Sequence, residues 1–353
     1  MDRSRLGERL RIGLIAPPFF AVPPTGYGGV ELVVSYLADG LVERGHDVTL
    51  FASGGSRTKA KLSSVYDVPP SAAIGQSVYD TRHLIEAYKY ADAFDIIHDH
   101  TVSGLLAGAS IATPVVHTIH GPLVGEFAKL YEDIRDRIPL IAISEHQRST
   151  LPRGVPATVI YNGVNVGDIP FSPTAGNYLL FVGRVNPEKG LLHAIEIARA
   201  SGMHLKMLLK INEEPERLYF REEVEPALHG MDAEVVEQVT FDDKMRYYRD
   251  AFATLFPIQW DEPFGLVMIE SMATGTPVIA FARGAAPEVV GHGDGGFVCQ
   301  TVQEAVEWLA QVPTLDRARC RQRVVERFTA EINVRCHEDF YYRILSGPAT
   351  SEQ

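Results

Sequence analysis

The chain begins one kind of pattern twice: a short, wholly apolar run, a stretch with apolar residues at helical spacing, then another apolar run. In the first series, residues 11–16 (RIGLIA) read as a buried strand and residues 30–43 as an amphipathic helix. Gly45-His46 ends that helix before the strand Asp47-VTLFA. A helix around residues 81–90, the strand Asp95-IIH, a helix from Gly104 and the strands Pro114-VVHTIH and Leu140-IAIS follow, and residues 155–167 complete the half. Residues 53–78, rich in small residues, Gly and Pro, read as a surface insertion, and residues 168–176 as the linker.

The second series opens with the strand Tyr178-LLFVG and a helix over residues 190–200. A strand over 204–209, a helix over 217–228, the strand Ala233-EVVEQV and a helix over 242–250 come next. The strand Ala253-TLFPI, a helix from about Gly265, the strand Pro277-VIAF and a helix from about Thr301 close it. Runs that are apolar throughout, rather than alternating, belong to parallel sheets covered on both faces. The expected fold class is therefore α/β, with two Rossmann-like α/β/α domains over residues 1–168 and 176–330. A helical segment at 331–353, bearing Phe340, Tyr341 and Tyr342, is expected to pack back toward the first domain. Open sheets of this kind take ligands at the carboxyl ends of their strands. Two such edges facing across a central cleft would suit two substrates and exclude water on closing.

Charge narrows the partners. With 33 basic and 45 acidic residues the formal charge is −12, which disfavours non-specific binding to nucleic acid or anionic lipid. No basic run interleaved with aromatics appears, so nucleic acid is excluded as an expected partner. Cys299, Cys320 and Cys336 form neither a metal knuckle nor a redox pair and point to a reducing, cytoplasmic setting. The charged residues 1–10 lack a signal-peptide core, and no run is long and apolar enough to span a bilayer. Peripheral contact with a membrane stays open, as does the oligomeric state.

The chemistry gathers in loops that follow strands. Thr25-GYGG stands between the first strand and first helix, where Gly28 and Gly29 let backbone approach an anion at a helix N-terminus. A flexible turn explains the same glycines equally well, and neither GxGxxG nor a P-loop occurs. After Gly183, Arg184 and Lys189 stand five residues apart, a spacing that lets two cations straddle a diphosphate. The alternative is a solvated pair flanking a helix start. In Glu262-PFGLVMIE, the N–H groups from Phe264 and Gly265 to Leu266 and Val267 open a helix suited to a phosphate. Glu270 suits a ribose diol, and Glu262 a sugar hydroxyl. His120 ends a strand and is preferred to His117 as a contact for a sugar hydroxyl. His98 and His100 lie at another strand end, where packing or hydrogen bonding outweighs a metal site. Residues 17–20 (PPFF) and 127–131 are candidates for an apolar acceptor surface, set against plain loop packing.

Taken in order, Thr25-GYGGVE, Glu43-RGHDVTLFA, Ile97-HDH, His117-TIHG, Ile141-AISE, Val159-IYNGV, Phe181-VGRVNPEKG, Glu262-PFGLVMIESMATGTPVIAF and Gly284-AAPEVV resemble the retaining GT-B glycosyltransferases of family 4, also called glycosyltransferase group 1. The likeness runs over nearly the whole chain. It implies a GT-B fold, with an acceptor-binding first domain and a donor-binding second domain. It also implies transfer of a hexose, glucose first, from a nucleotide-diphosphate sugar to a hydroxyl acceptor, with no cofactor and no metal required. On matched positions, Arg184 and Lys189 resemble the cations on the donor diphosphate, Glu270 the ribose-binding acid and Glu262 the acid beside the donor sugar. Phe264, Gly265, Leu266 and Val267 would hold sugar and phosphate oxygens, Gly28 and Gly29 would approach the phosphate, and His120 would sit near the reacting sugar. UDP-glucose is the first donor expected, and the acceptor a small molecule, saccharide or lipid headgroup. Where the family often carries glycines, this chain reads Leu208-LKINE, and Lys210 is left without a role. A nucleotide-sugar epimerase and a non-catalytic nucleotide-sugar-binding protein are the alternatives.

Overall fold

A computed structural model describes residues 7–26 and 28–347. The chain divides into two compact units, one formed by residues 1–163 with 330–353 and the other by residues 164–329.

In the first unit the strands are β1 (Arg11–Ile15), β2 (Asp47–Phe51), β3 (Lys61–Ser63), β4 (Ile96–Asp99), β5 (Val115–Ile119), β6 (Leu140–Ala142) and β7 (Ala157–Val159). They form one parallel sheet in the order β3-β2-β1-β4-β5-β6-β7. Every residue of β4 and β5 is buried, so neither shows the in-and-out alternation of a half-exposed strand, although β5 carries His117 at its centre. The helix Gly29–Glu43 follows β1 and inserts Val34, Leu37, Ala38 and Leu41 into the core beside Leu14 and Leu50.

The helix Ala330–Leu345 belongs to this first unit. Val334, Phe340 and Tyr341 join the same core, and each large side chain so buried contributes about 1.5–3 kcal/mol. Its polar anchors are equally specific. Tyr341 Oη lies 2.7 Å from His98 Nδ1, and Asn333 Nδ2 donates to the Tyr161 carbonyl at 2.7 Å. Glu338 accepts from Arg44 Nε at 2.9 Å and lies 2.8 Å from His46 Nε2.

The second unit carries β8 (Tyr178–Arg184), β9 (His204–Lys210), β10 (Ala233–Glu237), β11 (Ala253–Phe256), β12 (Val278–Phe281) and β13 (Gly296–Cys299). They form a parallel sheet in the order β10-β9-β8-β11-β12-β13. Arg317 and Arg321 hold the entry segment to this unit. Arg317 donates to the carbonyls of Ser172, Ala251 and Arg249, and Arg321 to those of Val166, Ile169 and Ala273.

Each unit is thus a doubly wound, Rossmann-like α/β/α layer structure. In both sheets the winding reverses beside the first strand, between β1 and β4 and between β8 and β11. Such reversal points open a crevice at the carboxyl ends of the strands.

Several elements differ from the sequence expectation. The stretch expected to be a surface insertion contains β3, whose Lys61 and Leu62 are exposed and give no apolar signal. Residues 127–131 are part of a helix, Glu126–Ile134; Tyr131 is buried in the core while Phe127 is exposed. Phe19, similarly, packs inward. The helix expected over residues 217–228 starts at Glu214 and widens into a π turn at Phe220–Val224, just before Pro226, which has no N–H to donate. Strand β13 and the helices Ala286–Val290 and Arg317–Arg327 are additional elements.

Candidate functional site

Strand β8 delivers Arg184 to the reversal point of the second sheet. Its guanidinium meets Glu216 Oε1 through Nε and Glu213 Oε1 through a terminal nitrogen, both at 2.6 Å. The two acids differ in how firmly they are held. Glu216 is buried, and its other oxygen accepts from the backbone N–H groups of Asn212 at 2.8 Å and Glu213 at 3.0 Å. Burial alone would raise its pKa, but those N–H groups and Arg184 keep it below the usual carboxylate range. Glu213 is half exposed. Arg184 is therefore held by one buried carboxylate and one half-exposed carboxylate, the latter also capping the helix Glu214–Tyr219 through the Glu216 N–H.

Lys189 follows on a short turn whose Asn186 side chain accepts from the Lys189 N–H at 3.1 Å. Gly190 takes φ +74°, and a Cβ there would meet the Pro257 carbonyl oxygen at 1.9 Å, so only glycine lets this turn press against the β11 loop. Lys189 Nζ pairs with Glu262 Oε2 at 2.7 Å and lies 4.9 Å from the Trp260 ring centroid. Both partners are largely enclosed, with side chains 16 % and 13 % exposed. A cation and a carboxylate are thus fixed side by side where β8 and β11 end.

Glu262 is positioned from a third loop. Gly284, at φ +58°, lies so close that a Cβ would stand 2.3 Å from the Glu262 N and O, and the Ala285 N–H donates to the Glu262 carbonyl at 2.8 Å. Phe264 is buried beneath this loop, and Gly265 caps the helix Leu266–Ala273. The first N–H groups of that helix, from Leu266 and Val267, have no preceding turn to bond and suit an anion. Glu270 lies one turn on, buried, with Oε1 2.7 Å from Lys244 Nζ and Oε2 accepting from Tyr248 Oη at 3.1 Å. Sequence reasoning missed Glu213, Glu216, Lys244 and Tyr248, because partners 22–32 residues away are joined only by the fold.

In the first unit, Gly28 caps the helix Gly29–Glu43 without a side-chain bond, and a Cβ on it would stand 2.8 Å from Glu31 Oε2 and Pro24 Cβ. Tyr27 of the same glycine-rich turn lies outside the described residues. His120 follows β5, partly exposed. Its Nε2 lies 2.8 Å from His100 Nδ1. Burial, with smaller contributions from His117 and His337, pushes its pKa down to about 3. Gln147 holds its backbone, and His98 packs on its partner His100. Buried Gln147 donates its amide to the carbonyls of Ile119 at 3.1 Å and Gly121 at 3.0 Å, on either side of His120. His98, bonded to Tyr341 and to Thr118 Oγ1 at 2.8 Å, lies with its ring centroid 4.0 Å from that of His100. His98 is therefore a core residue, and His117, bonded to Tyr131 Oη at 3.1 Å, lies within the strand. Among the described residues no group of three or more His, Cys, Asp or Glu is placed to hold a metal.

Residues 168–323 match the family described as glycosyl transferases group 1, and residues 27–168 match glycosyltransferase family 4. The phosphatidyl-myo-inositol mannosyltransferase of Mycolicibacterium smegmatis is 26% identical, over 81% of this chain and 80% of its own length. Among solved structures, a glycosyltransferase involved in avilamycin A biosynthesis superposes with a TM-score of 0.73 at 25% identity, covering 96% of this chain and 99% of the other. The Anabaena protein HepE, in complex with UDP-glucose, gives 0.74 at 19% identity over 96% of this chain and all of its own. Two Rossmann-like units, a strand-end loop bearing Arg184 and Lys189, and family matches that together run from residue 27 to residue 323 lead to one assignment. The chain belongs to the group 1, family 4 glycosyltransferases, retaining enzymes of GT-B fold that draw their sugar from a nucleoside diphosphate donor.

Proposed function

We propose that this enzyme transfers a hexose, glucose before others, from UDP-glucose to a hydroxyl acceptor, with the second unit as the donor-binding domain. The observation that carries this reading is the 2.7 Å Lys189–Glu262 pair beside the N-terminus of the helix Leu266–Ala273. A cation for phosphate and an acid for a sugar hydroxyl stand in contact there, as the junction between diphosphate and sugar requires. Arg184 would take the other side of the diphosphate, giving up Glu213 while Glu216 holds it. Phe264, Gly265, Leu266 and Val267 would supply backbone to sugar and phosphate oxygens. Glu270, fixed by Lys244 and Tyr248, would take the ribose diol. From the first unit, Gly28 and Gly29 are assigned to the phosphate and His120 to the donor sugar's hydroxyls. The first unit is assigned to the acceptor, and the reducing interior of a cell is the setting that suits three free cysteines.

In the reaction the bond between the anomeric carbon and the diphosphate oxygen breaks, and one to the acceptor oxygen forms on the same face. The acceptor's proton passes to the departing diphosphate. Negative charge builds on that leaving group, so Arg184, Lys189 and the helix N-terminus act where the transition state differs most from the ground state. Glu262 orients the sugar and is assigned no nucleophilic role.

A mannosyl donor is the second reading, favoured by the mannosyltransferase relative. The test is mass spectrometry of reactions that pair UDP-glucose, GDP-mannose and other nucleotide sugars with a cell metabolite extract. The expected product is an acceptor heavier by one hexose, with α configuration retained by NMR. Binding of every donor without transfer, or interconversion of the sugar with no acceptor product, would overturn the proposal.

A further inference from the structure

His120 and His100 share one contact, Nε2 to Nδ1 at 2.8 Å, and no other hydrogen bond of either ring occurs among the described residues. One proton must lie between the two nitrogens, and which ring owns it decides what His120 offers to a ligand. Both imidazoles are held neutral by burial, His120 at about 3 and His100 well below its usual value. The titratable groups around them are also histidines: His98 beside His100 on β4, His117 on β5 and His337 on the helix Ala330–Leu345.

Two arrangements are available to a neutral pair. If His120 donated from Nε2, His100 would carry its own proton on Nε2. That atom is buried with no partner, and an orphaned N–H in an interior is a rare and costly arrangement. If His100 donates from Nδ1, its Nε2 becomes a bare lone pair, the better tolerated of the two defects. His120 is then protonated on Nδ1. The ring cannot escape by turning its loop, because Gln147 grips the carbonyls on both sides.

We propose that His100 is the positioning residue of the sugar site: it donates to His120 Nε2 and thereby commits His120 to present Nδ1–H as a hydrogen-bond donor to a sugar oxygen. The inference rests on the assignment of His120 to the donor sugar. It gives that histidine a fixed role as donor, not base, which suits a reaction whose acceptor proton leaves on the diphosphate.

The test begins with the wild-type protein labelled with 15N in its histidines, whose long-range 1H–15N correlations report tautomers without any substrate. The expected result is Nδ1 protonation in both His100 and His120; Nε2 protonation of His120 would overturn the proposal. Three variants then separate position from packing. His100→Asn keeps an N–H where Nδ1 stood, His100→Leu supplies none, and His100→Asp only accepts, drawing the His120 proton to Nε2. Release of nucleoside diphosphate from UDP-glucose, or from GDP-mannose if that is the donor turned over, should fall about 10–100-fold in kcat for Leu and Asp, with donor KM little changed. Asn should restore most of the rate, and Asp should add an acid limb to the pH profile by raising the pKa of His120. A folded His100→Leu enzyme with wild-type kcat, beside an inactive His120→Ala, would overturn the role of His100 alone. Normal turnover in His120→Ala would instead remove the assignment on which it rests.

Discussion

Acid should unfold the first unit selectively, and the size of the effect follows from its buried imidazoles. His83, His117 and His337 are 1–2 % exposed, and burial lowers each pKa from 6.5 to about 4. Below pH 6.5 the unfolded chain takes up these protons while the folded chain refuses them. The stability they carry is complete above pH 6.5 and drains as pH falls toward 4. Between pH 7 and pH 5 each costs just under ~2 kcal/mol, or about 5 kcal/mol for the three. Asp99 opposes them. Burial raises its pKa to about 6, so it penalises the fold at neutral pH and returns about 1 kcal/mol over the same interval. The net loss is about 4 kcal/mol, and His98 and His100, lowered further, add to it. For a unit of this size that corresponds to a fall in Tm of about 10 °C. Both tryptophans, Trp260 and Trp308, lie in the second unit, so their emission tracks the wrong transition and serves as the control. Calorimetry and far-UV circular dichroism at pH 7 and pH 5 should show a transition that moves down independently of tryptophan emission. An unchanged Tm, or a shift seen only in emission, would refute the reasoning.

Arg184→Ala should lower turnover at least 100-fold, measured as nucleoside diphosphate release, because the proposed function puts its charge on the leaving group. Gly284→Ala should destabilise the protein by more than about 1 kcal/mol and depress transfer, since its Cβ meets the Glu262 backbone at 2.3 Å; urea unfolding with parallel rates checks both. Glu270→Gln should raise donor KM about tenfold with a smaller change in kcat, read by initial rates over donor concentration. Equal loss of kcat and kcat/KM in that variant would mean the acid acts in the transition state instead.

The sequence discloses the fold best where burial is two-sided. β4 and β5 are buried at every residue and begin on paired apolar residues, Ile96-Ile97 and Val115-Val116, whereas β3 exposes Lys61 and Leu62 and leaves no trace. The helix Arg317–Arg327 is hidden for a different reason. Its buried face includes Arg317 and Arg323, which spend their charge on carbonyls and Asp294, so a core-facing residue looks like a surface one. The candidate residues Arg184, Lys189, Glu262 and His120 can be picked out from the sequence because Arg184 ends a strand and the other three lie in loops that follow one, where a parallel sheet takes its ligand. What surrounds them is not. Glu216 is tied to Arg184 across 32 residues, and Gln147 to the Ile119 carbonyl across 28, so both pairings exist only once the sheets are wound.

Because residues 330–353 return to the unit begun by residues 1–163, the second unit is an insertion within the first. During synthesis the inserted portion is complete before the helix that seals its host has been made. Until then Leu37, Leu41 and the His98 ring lack their covering from Val334 and Tyr341, and the nascent first half carries an uncapped apolar flank. The order of assembly is thereby inverted: the segment translated second can close by itself, while the segment translated first must wait for the helix Ala330–Leu345.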